Sequence, residues 1–318
     1  MGVGFNNFGR IGVLMGGASS ERDISLNSGK AVYECLKNLS LEAVCLDIRS
    51  DDYKENRSFI REAGIDIAFI ALHGHFGEDG QIQSLLEELN IPYTGSDPDA
   101  SRLAMDKVAS RKVFQKEALP VPNYIVFSSP EAVDSGKEVT SNLTAPFVVK
   151  PAAQGSSIGL SIVNRQEELK EALRLASNYD KNIIIEEYIE GREITVGILA
   201  ERALPVVEII PKNKFYDYEA KYAAGMSEYV VPAELPVDIT CRLQEIGLAA
   251  HRSLGCFAFS RVDIRLNRDN APFILEVNSI PGLTYVSLLP KAASAAGIDF
   301  SQLCTRILRL ALERAQAH

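Results

Sequence analysis

The chain has 318 residues, 46% of them hydrophobic and 24% charged, which is the balance of an ordinary globular protein. Its net charge of −9, from 33 Lys and Arg against 42 Asp and Glu, argues against a broad cationic surface for nucleic acid. The chain lacks a run of about 18 apolar residues, so we expect no association with a membrane. We recognise no signal peptide, and the five cysteines form no CxxC pair. We therefore predict reduced thiols in a cytoplasmic protein.

Strand-like and helix-like segments alternate along the first hundred residues. An apolar run at 11–15 ends in two glycines, and apolar residues at helical spacing follow it. Further strand-like runs lie at 41–48 and 66–72, before a helical pattern at 81–89. This βαβ rhythm predicts a parallel sheet with helices on both faces.

The rest of the chain divides into two further α/β segments. The first has a polar helix at 106–117 and strand-like runs at 146–150, 160–163 and 183–187. The second has strand-like runs at 193–199, 206–210, 257–266 and 272–277. We therefore predict an α/β protein with three domains, at residues 1–102, 103–190 and 191–318.

Two polar-faced strands near the C-terminal end carry the strongest chemical signal. Because side chains alternate between the faces of a strand, Arg261, Asp263 and Arg265 share one side, as do Glu276 and Asn278. A polar turn between the strands predicts a hairpin that brings Asp263, Glu276 and Asn278 together. Three oxygen ligands suit Mg²⁺, although a solvated amphipathic hairpin would give the same pattern. The apolar neighbours of Glu276 and Asn278 favour the metal site, because unpaired charge there is costly.

A glycine- and serine-rich loop follows the apolar strand that ends at Lys150. Gly155 and Gly159 would let the backbone approach a ligand, and amide and hydroxyl donors could surround phosphate oxygens. No Gly-Lys-Ser/Thr sequence follows, so the loop is not a Walker A motif. An ordinary turn between two strands is the alternative interpretation.

Three further stretches are candidates for ligand contacts. Residues 16–23 could place Glu21 at a helix N-terminus, or could form a capping loop only. His73 and His75 with neighbouring acids could hold a transition metal, but a neutral, hydrogen-bonded His73 is the simpler interpretation. The stretch 216–222, which contains three tyrosines and Lys221, could close over a site or be a surface loop.

In their order along the chain, these segments closely resemble the D-alanine–D-alanine ligases of the ATP-grasp superfamily. The resemblance runs from Ile11 to Leu289 and rests on the motifs GGASSERDISLNSG, ALHGHFGEDG, AMDK, VVKPAAQGSSIG, EEYIEGREITV, FYDYEAKY, RVDIRL and LEVNSIPGLTYVSLLP. It implies a three-domain ATP-grasp architecture, in which an N-terminal parallel-sheet α/β domain precedes two α+β domains that grip ATP. The implied reaction joins two D-alanine molecules through an acylphosphate, for peptidoglycan precursor synthesis, and releases ADP and phosphate.

The resemblance also implies which residues face ATP and its metal ions. The nucleotide would be contacted by Lys107, Lys150, Ser157, Glu186, Glu187, Ile189, Glu193 and Lys221. Two Mg²⁺ ions, or Mn²⁺ in their place, would be held by Asp263, Glu276 and Asn278. This metal set agrees with the argument from strand faces.

Two further groups of residues would face the substrates. The catalytic group would consist of Glu21, Ser156, Tyr222, Arg261 and Gly282. The D-alanine molecules would also be bound by His73, Tyr216, Ser287 and Leu288. In this scheme Glu21 binds the ammonium of the first D-alanine, and Arg261 with the Gly282 amide forms an oxyanion site.

Other functions fit parts of the same pattern. The chain could be another ATP-grasp carboxylate–amine ligase or a D-alanine–D-lactate ligase, although Tyr222 favours the dipeptide. From a different class, it could be a nucleotide-binding regulator without catalysis. Likeness to the family implies a homodimer, and we expect neither nucleic acid nor a membrane as a partner.

Overall fold

Each of the three predicted α/β segments contains one β-sheet. The computed structural model describes residues 8–128, 143–212 and 227–317. The strands within these ranges form sheets of three, four and six strands. The limits of the three domains stay a prediction.

The first sheet is parallel, as predicted. β1 (Ile11–Gly16) lies between β2 (Ala43–Ile48) and β3 (Ile67–Ile70) and pairs with both in parallel. All six residues of β1 are buried, and Val13 and Leu14 belong to separate apolar clusters, because both faces of the sheet are covered. The helices of this segment are α1 (Arg22–Asn38), α2 (Tyr53–Glu62), α3 (Gln81–Glu88) and α4 (Pro98–Met105).

The second sheet is antiparallel. It follows α5 (Lys107–Lys116) and consists of β4 (Tyr124–Phe127), β5 (Phe147–Pro151), β6 (Ser161–Val163) and β7 (Ile183–Glu187). Its spatial order is β4–β7–β5–β6. α6 (Leu169–Ser177) covers one face with Leu169, Ala172, Leu173 and Ala176, which recur at helical spacing and are all buried.

The third sheet is antiparallel and carries the predicted hairpin. Its strands are β8 (Gly191–Leu199), β9 (Arg202–Ala203), β10 (Val207–Pro211), β11 (Ser227–Val230), β12 (Phe259–Asn267) and β13 (Pro272–Asn278). The spatial order is β11–β10–β8–β12–β13, with β9 paired to β8. α7 (Val237–Ser253) packs on β8 and β12, and its Leu243 shares an apolar cluster with Val196 and Val262.

The last two helices return to the first sheet. They are α8 (Leu288–Ala295) and α9 (Phe300–Ala317), and α9 packs against α1. Leu303 and Ile307 of α9 are fully buried in the same apolar cluster as Val13 and Val32. This packing brings the chain after β13 beside the N-terminal segment. Among the described helices, none combines the length and apolar composition needed to cross a bilayer.

Candidate active site

β12 and β13 form the hairpin predicted from the sequence. Asp263 lies directly opposite Glu276, and Arg261 lies opposite Asn278. Val262 turns into the core, whereas Arg261 and Asp263 lie on the other, partly buried face. Asp263 and Glu276 are therefore neighbours across the hairpin, and Asn278 occupies the position diagonal to Asp263.

Both carboxylates of the hairpin have cationic partners. Arg261 donates to Asp263 through Nε (2.8 Å to Oδ1) and Nη2 (2.7 Å to Oδ2), and the Thr195 hydroxyl donates to the same Oδ1 at 2.8 Å. The Nζ of Lys107 lies 3.0 Å from Oε2 of Glu276. The Asp263 and Glu276 side chains are only 14% and 24% exposed. Mostly buried carboxylates need nearby positive charge, and Arg261 and Lys107 supply it here.

A cleft of about 910 Å³, including its open mouth, lies over these carboxylates. Asp263 and Glu276 lie in its wall, and so do all the described residues predicted to contact ATP, namely Lys107, Lys150, Ser157, Glu186, Glu187, Ile189 and Glu193. Asn278 lines an adjoining cavity together with Glu276 and Lys107.

One buried cluster beside the cleft contains two cations and one carboxylate. Glu186 is 3% exposed and contacts both Lys150 (Nζ to Oε1, 2.7 Å) and the guanidinium of Arg111, which is fully buried. Two cations around one carboxylate leave a net charge of about +1 in this cluster. The arrangement suits a polyanionic ligand.

Burial and mutual contact shift the pKa values of this cluster. Burial lowers the pKa of Lys150 to about 8, although Glu186 acts to raise it. Burial would raise the pKa of Glu186, but Arg111 and Lys150 outweigh it and hold that pKa below its ordinary value. Glu186 therefore stays ionised, and Lys150 titrates close to the physiological range.

The Gly/Ser loop after β5 is attached to the start of α5. Asp106 caps α5, and the Lys107 amide donates to the Ala152 carbonyl (3.1 Å) while its Nζ donates to the Gln154 carbonyl (2.7 Å). At Gly159 (φ +71°) a Cβ atom would lie 2.7 Å from the Tyr179 ring. The loop conformation thus requires glycine there.

The same loop reaches the start of α1. The Ser156 hydroxyl donates to Oε1 of Glu21, the residue just before α1, and both residues are less than 10% exposed. A Cβ at Gly155 would lie 3.0 Å from Oε2 of Glu21. The backbone at Gly155 therefore lies close to the Glu21 carboxylate, and its approach to a ligand stays a prediction.

His73 belongs to a buried hydrogen-bond network. Its Nδ1 lies 3.2 Å from Oε1 of Glu78 and its Nε2 lies 3.1 Å from Oγ of Ser28. His75 is exposed and lies 3.4 Å from Asp79. Within the described ranges, no three His, Cys, Asp or Glu side chains group as metal ligands. His73 is therefore hydrogen-bonded at both ring nitrogens.

The predicted oxyanion and carboxylate-binding residues follow β13. Gly282 lies in the turn before α8, and a Cβ there would lie 3.1 Å from Oγ of Ser287. Ser287 is the N-cap of α8, and Leu288 is its first residue. The free backbone N–H groups at a helix N-terminus attract anions. Three other predicted residues, Tyr216, Lys221 and Tyr222, lie outside the described residues.

Comparison with known proteins connects this geometry to one family. Family models described as "D-ala D-ala ligase C-terminus" and "D-ala D-ala ligase N-terminus" match residues 113–309 and 51–96. The D-alanine–D-alanine ligase of Geotalea uraniireducens is 46% identical over 302 residues, which is 95% of each chain. The chain belongs to the D-alanine–D-alanine ligase family. The predictions of the family and of the ATP-dependent ligase class are confirmed.

Solved structures of related ligases confirm the fold class. The D-alanine–D-alanine ligase from Bacillus anthracis, complexed with ATP, has a TM-score of 0.85 and 34% identity and covers 97% of this chain and 99% of its own. The VanG D-Ala:D-Ser ligase from Enterococcus faecalis has a TM-score of 0.81 and 30% identity, covering 95% of this chain and 99% of its own. Because both share the fold, the fold alone does not decide the second substrate.

Two contributors to the site of this D-alanine–D-alanine ligase family member were not predicted from the sequence. Arg111 lies four residues after Lys107, on the buried face of α5. This spacing places both side chains on one side of a helix, which is the signal that could have identified Arg111. Thr195 on β8 is paired with Asp263 only through the sheet register, and the sequence contains no signal for that pairing.

Proposed function

We propose that the cleft binds ATP with Mg²⁺ and that the chain joins two D-alanine molecules, releasing ADP and phosphate. One observation carries this proposal. Apart from Lys221, which lies outside the described residues, the residues expected to bind ATP line a single cleft with Asp263 and Glu276. The Gly/Ser loop beside this cleft is hydrogen-bonded to Glu21 through Ser156. The proposed nucleotide site would thereby lie beside the proposed metal ligands and Glu21.

The walls of the cleft suit a nucleotide. Lys150 and Lys107 supply positive charge for the phosphates, and apolar side chains such as Val148, Ile158 and Leu275 provide surface for a flat ring. Glu193, held by Arg265 at 2.6 Å, offers a carboxylate that can accept hydrogen bonds from sugar hydroxyls.

The residues present also fit divalent metal ions. Asp263, Glu276 and Asn278 offer hard oxygen donors on one hairpin, as Mg²⁺ prefers, and the same donors accept Mn²⁺. Arg261 and Lys107 already place positive charge on the two carboxylates. Bound metal ions, two in our proposal, would neutralise phosphate charge and polarise the transferred phosphoryl group.

The proposed reaction has two steps. A carboxylate oxygen of the first D-alanine attacks the γ-phosphorus of ATP, and ADP leaves, which produces an acylphosphate. The amine of the second D-alanine then attacks the acyl carbon, loses a proton, and phosphate departs. Arg261 and the Gly282 amide would stabilise the oxyanion, an effect that is worth about 3–4 kcal/mol per donor in comparable sites.

The substrate-binding roles follow from the positions of charged groups. Glu21, oriented by Ser156, would bind the ammonium of the first D-alanine, with His73 nearby. The start of α8, at Ser287 and Leu288, would bind the carboxylate of the second. Tyr216, Lys221 and Tyr222 would close over the site and keep water from the acylphosphate.

We also propose a cytoplasmic homodimer. A cytoplasmic location is supported by the need for ATP and by the buried, unpaired thiols of Cys35, Cys256 and Cys304. The dimer is supported by likeness to the family. Light scattering at micromolar concentration should give twice the chain mass of 34.8 kDa.

The direct test is to supply the protein with ATP, Mg²⁺ and D-alanine as the only amino acid. We expect D-alanyl-D-alanine and ADP in a 1:1 ratio. D-Serine or D-lactate, each offered together with D-alanine, should be incorporated less than D-alanine at neutral pH. Preferred incorporation of either would indicate a ligase with another second substrate. ATP binding without D-alanine-dependent ADP release would support a regulator.

The affinity for ATP should fall as pH rises through about 8. Lys150 loses its proton there in the nucleotide-free protein, whereas a bound triphosphate favours its charged form. At pH 9.5, which is 1.5 units above this pKa of about 8, the coupling between Lys150 protonation and ATP binding limits the loss of ATP affinity to about 30-fold. Kd measurements from pH 7 to 9.5 check this.

Matched lysine variants isolate the effect. Lys150→Met should bind ATP weakly, with a Kd that is independent of pH over this range. Lys116→Met, which changes an exposed lysine of α5, should behave as the unmodified protein. A pH-independent Kd in the unmodified protein would show that Lys150 is not the group that titrates.

A further inference from the structure

A buried serine joins two loops of the proposed active site. Ser28 lies on the inner side of α1 and is 1% exposed. Its Oγ is 3.1 Å from Nε2 of His73 and accepts a hydrogen bond from the Leu283 amide at 3.2 Å. Leu283 follows Gly282, whose amide is the proposed oxyanion donor, and is fully buried.

The Leu283 amide and the Glu78 carboxylate lie at the two ends of this hydrogen-bond network, and they determine which groups donate and which accept. The Leu283 N–H can only donate, so the Ser28 oxygen accepts and its own hydrogen remains available. At the far end, Nδ1 of His73 lies 3.2 Å from the Glu78 carboxylate. Burial raises the pKa of Glu78, and its hydrogen bond with His73 acts to lower it. In its ionised form Glu78 can only accept, in which case His73 carries its proton on Nδ1 and Nε2 accepts from the Ser28 hydroxyl.

We infer that Ser28 is a positioning residue, which donates to Nε2 of the Nδ1–H tautomer of His73 and holds the peptide between Gly282 and Leu283 in place for catalysis. This inference rests on the proposed function of the site. The consequence is local rigidity. The fixed peptide plane holds the Gly282 Cα, which is one end of the preceding plane that carries the Gly282 N–H.

The network also connects to the segment that carries Glu21. The Ser19 hydroxyl donates to the His73 carbonyl at 2.9 Å and accepts from the Glu21 amide at 3.2 Å. His73 is thus held on its ring by Ser28 and on its backbone by Ser19. The three segments that carry Glu21, His73 and Gly282 are therefore joined through side-chain hydroxyls.

The kinetic test uses Ser28→Ala, which removes the hydroxyl and leaves ATP contacts untouched. We expect kcat/KM for D-alanine to fall about tenfold or more, since small misplacements of reacting groups have large effects on rate. The Kd for ATP should stay within about twofold, because Ser28 lies outside the nucleotide cleft. Ser28→Thr, which retains a hydroxyl, should recover part of the loss.

Ser101→Ala is the matched control. Ser101 is equally buried, on α4, and its hydroxyl is directed at the Ser96 carbonyl, not at a residue of the site. Its kcat/KM should stay within about twofold of the unmodified protein. An equal loss in Ser28→Ala and Ser101→Ala, or an equal loss in kcat/KM and ATP affinity, would overturn the inference.

A second measurement requires no variant of Ser28. Two-bond ¹⁵N–¹H spectra of histidine-labelled, unmodified protein should show His73 as the neutral Nδ1–H tautomer. The signal is identified by its absence in His73→Gln. Protonation on Nε2 would overturn the inference while dipeptide synthesis continued. Failure of the unmodified protein to ligate D-alanine would instead contradict the proposed function.

Discussion

Glu276→Gln should lower kcat on the order of 10³-fold while the protein stays folded. The substitution keeps the shape of the side chain but removes one of the two carboxylates beside the phosphate-binding lysines. Metal-assisted charge stabilisation is worth several kcal/mol, and each 1.36 kcal/mol is a factor of about ten in rate. Initial rates of ADP release at saturating ATP, Mg²⁺ and D-alanine measure the effect.

Glu208→Gln provides the control on the same sheet. Glu208 lies on β10 and is bonded by Arg192 at 2.6 and 2.5 Å, and like Glu276 it is a partly buried carboxylate with a cationic partner. It does not line the cleft, so kcat should stay within about twofold. If Glu276→Gln retained more than about a tenth of the activity, this carboxylate would have no essential role.

Arg111→Met should destabilise the folded protein strongly. It would remove one of two cations from Glu186, which is buried, and the guanidinium contact with the Tyr124 ring at 5.0 Å. Breaking a buried ion pair by removing one partner usually costs about 3–5 kcal/mol. We expect about 3 kcal/mol, because Lys150 still contacts Glu186 and because two Arg111 nitrogens have no hydrogen-bond partner among the described residues.

Urea unfolding measures this loss. The chain has 11 tyrosines and no tryptophan, so tyrosine fluorescence and circular dichroism are the two probes, and their transitions must coincide. Arg165→Met removes an exposed Arg–Glu pair and should change the midpoint far less. Equal midpoint shifts in the two variants would show that the buried cluster contributes little to stability.

The hairpin could be predicted because its pattern is local. Alternating polar and apolar residues place Asp263 and Glu276 on defined faces, and the polar turn pairs the strands. The βαβ rhythm of the first sheet is equally local. The residues of the nucleotide cleft were predicted from the resemblance to a family and not from residue spacing. Spacing does not predict them because the wall of the cleft is assembled from separate strands and loops.

Long-range contacts between buried polar groups could not be predicted in this way. Arg111 and Glu186 are 75 residues apart, and Ser28 and Leu283 are 255 apart. Periodicity shows which face of α5 or α1 is buried, but it does not show which partner that face meets. The packing of α9 against α1 is another contact between distant segments that periodicity does not predict.

Transfer of oxygen from substrate to phosphate tests the proposed acylphosphate most directly. With D-alanine labelled with ¹⁸O in both carboxylate oxygens, the oxygen that attacks the γ-phosphorus leaves with the phosphate. We predict one ¹⁸O atom in each phosphate released, measured by mass spectrometry or ³¹P NMR, in step with dipeptide formation. Phosphate without label beside labelled dipeptide would contradict activation of the carboxylate by ATP.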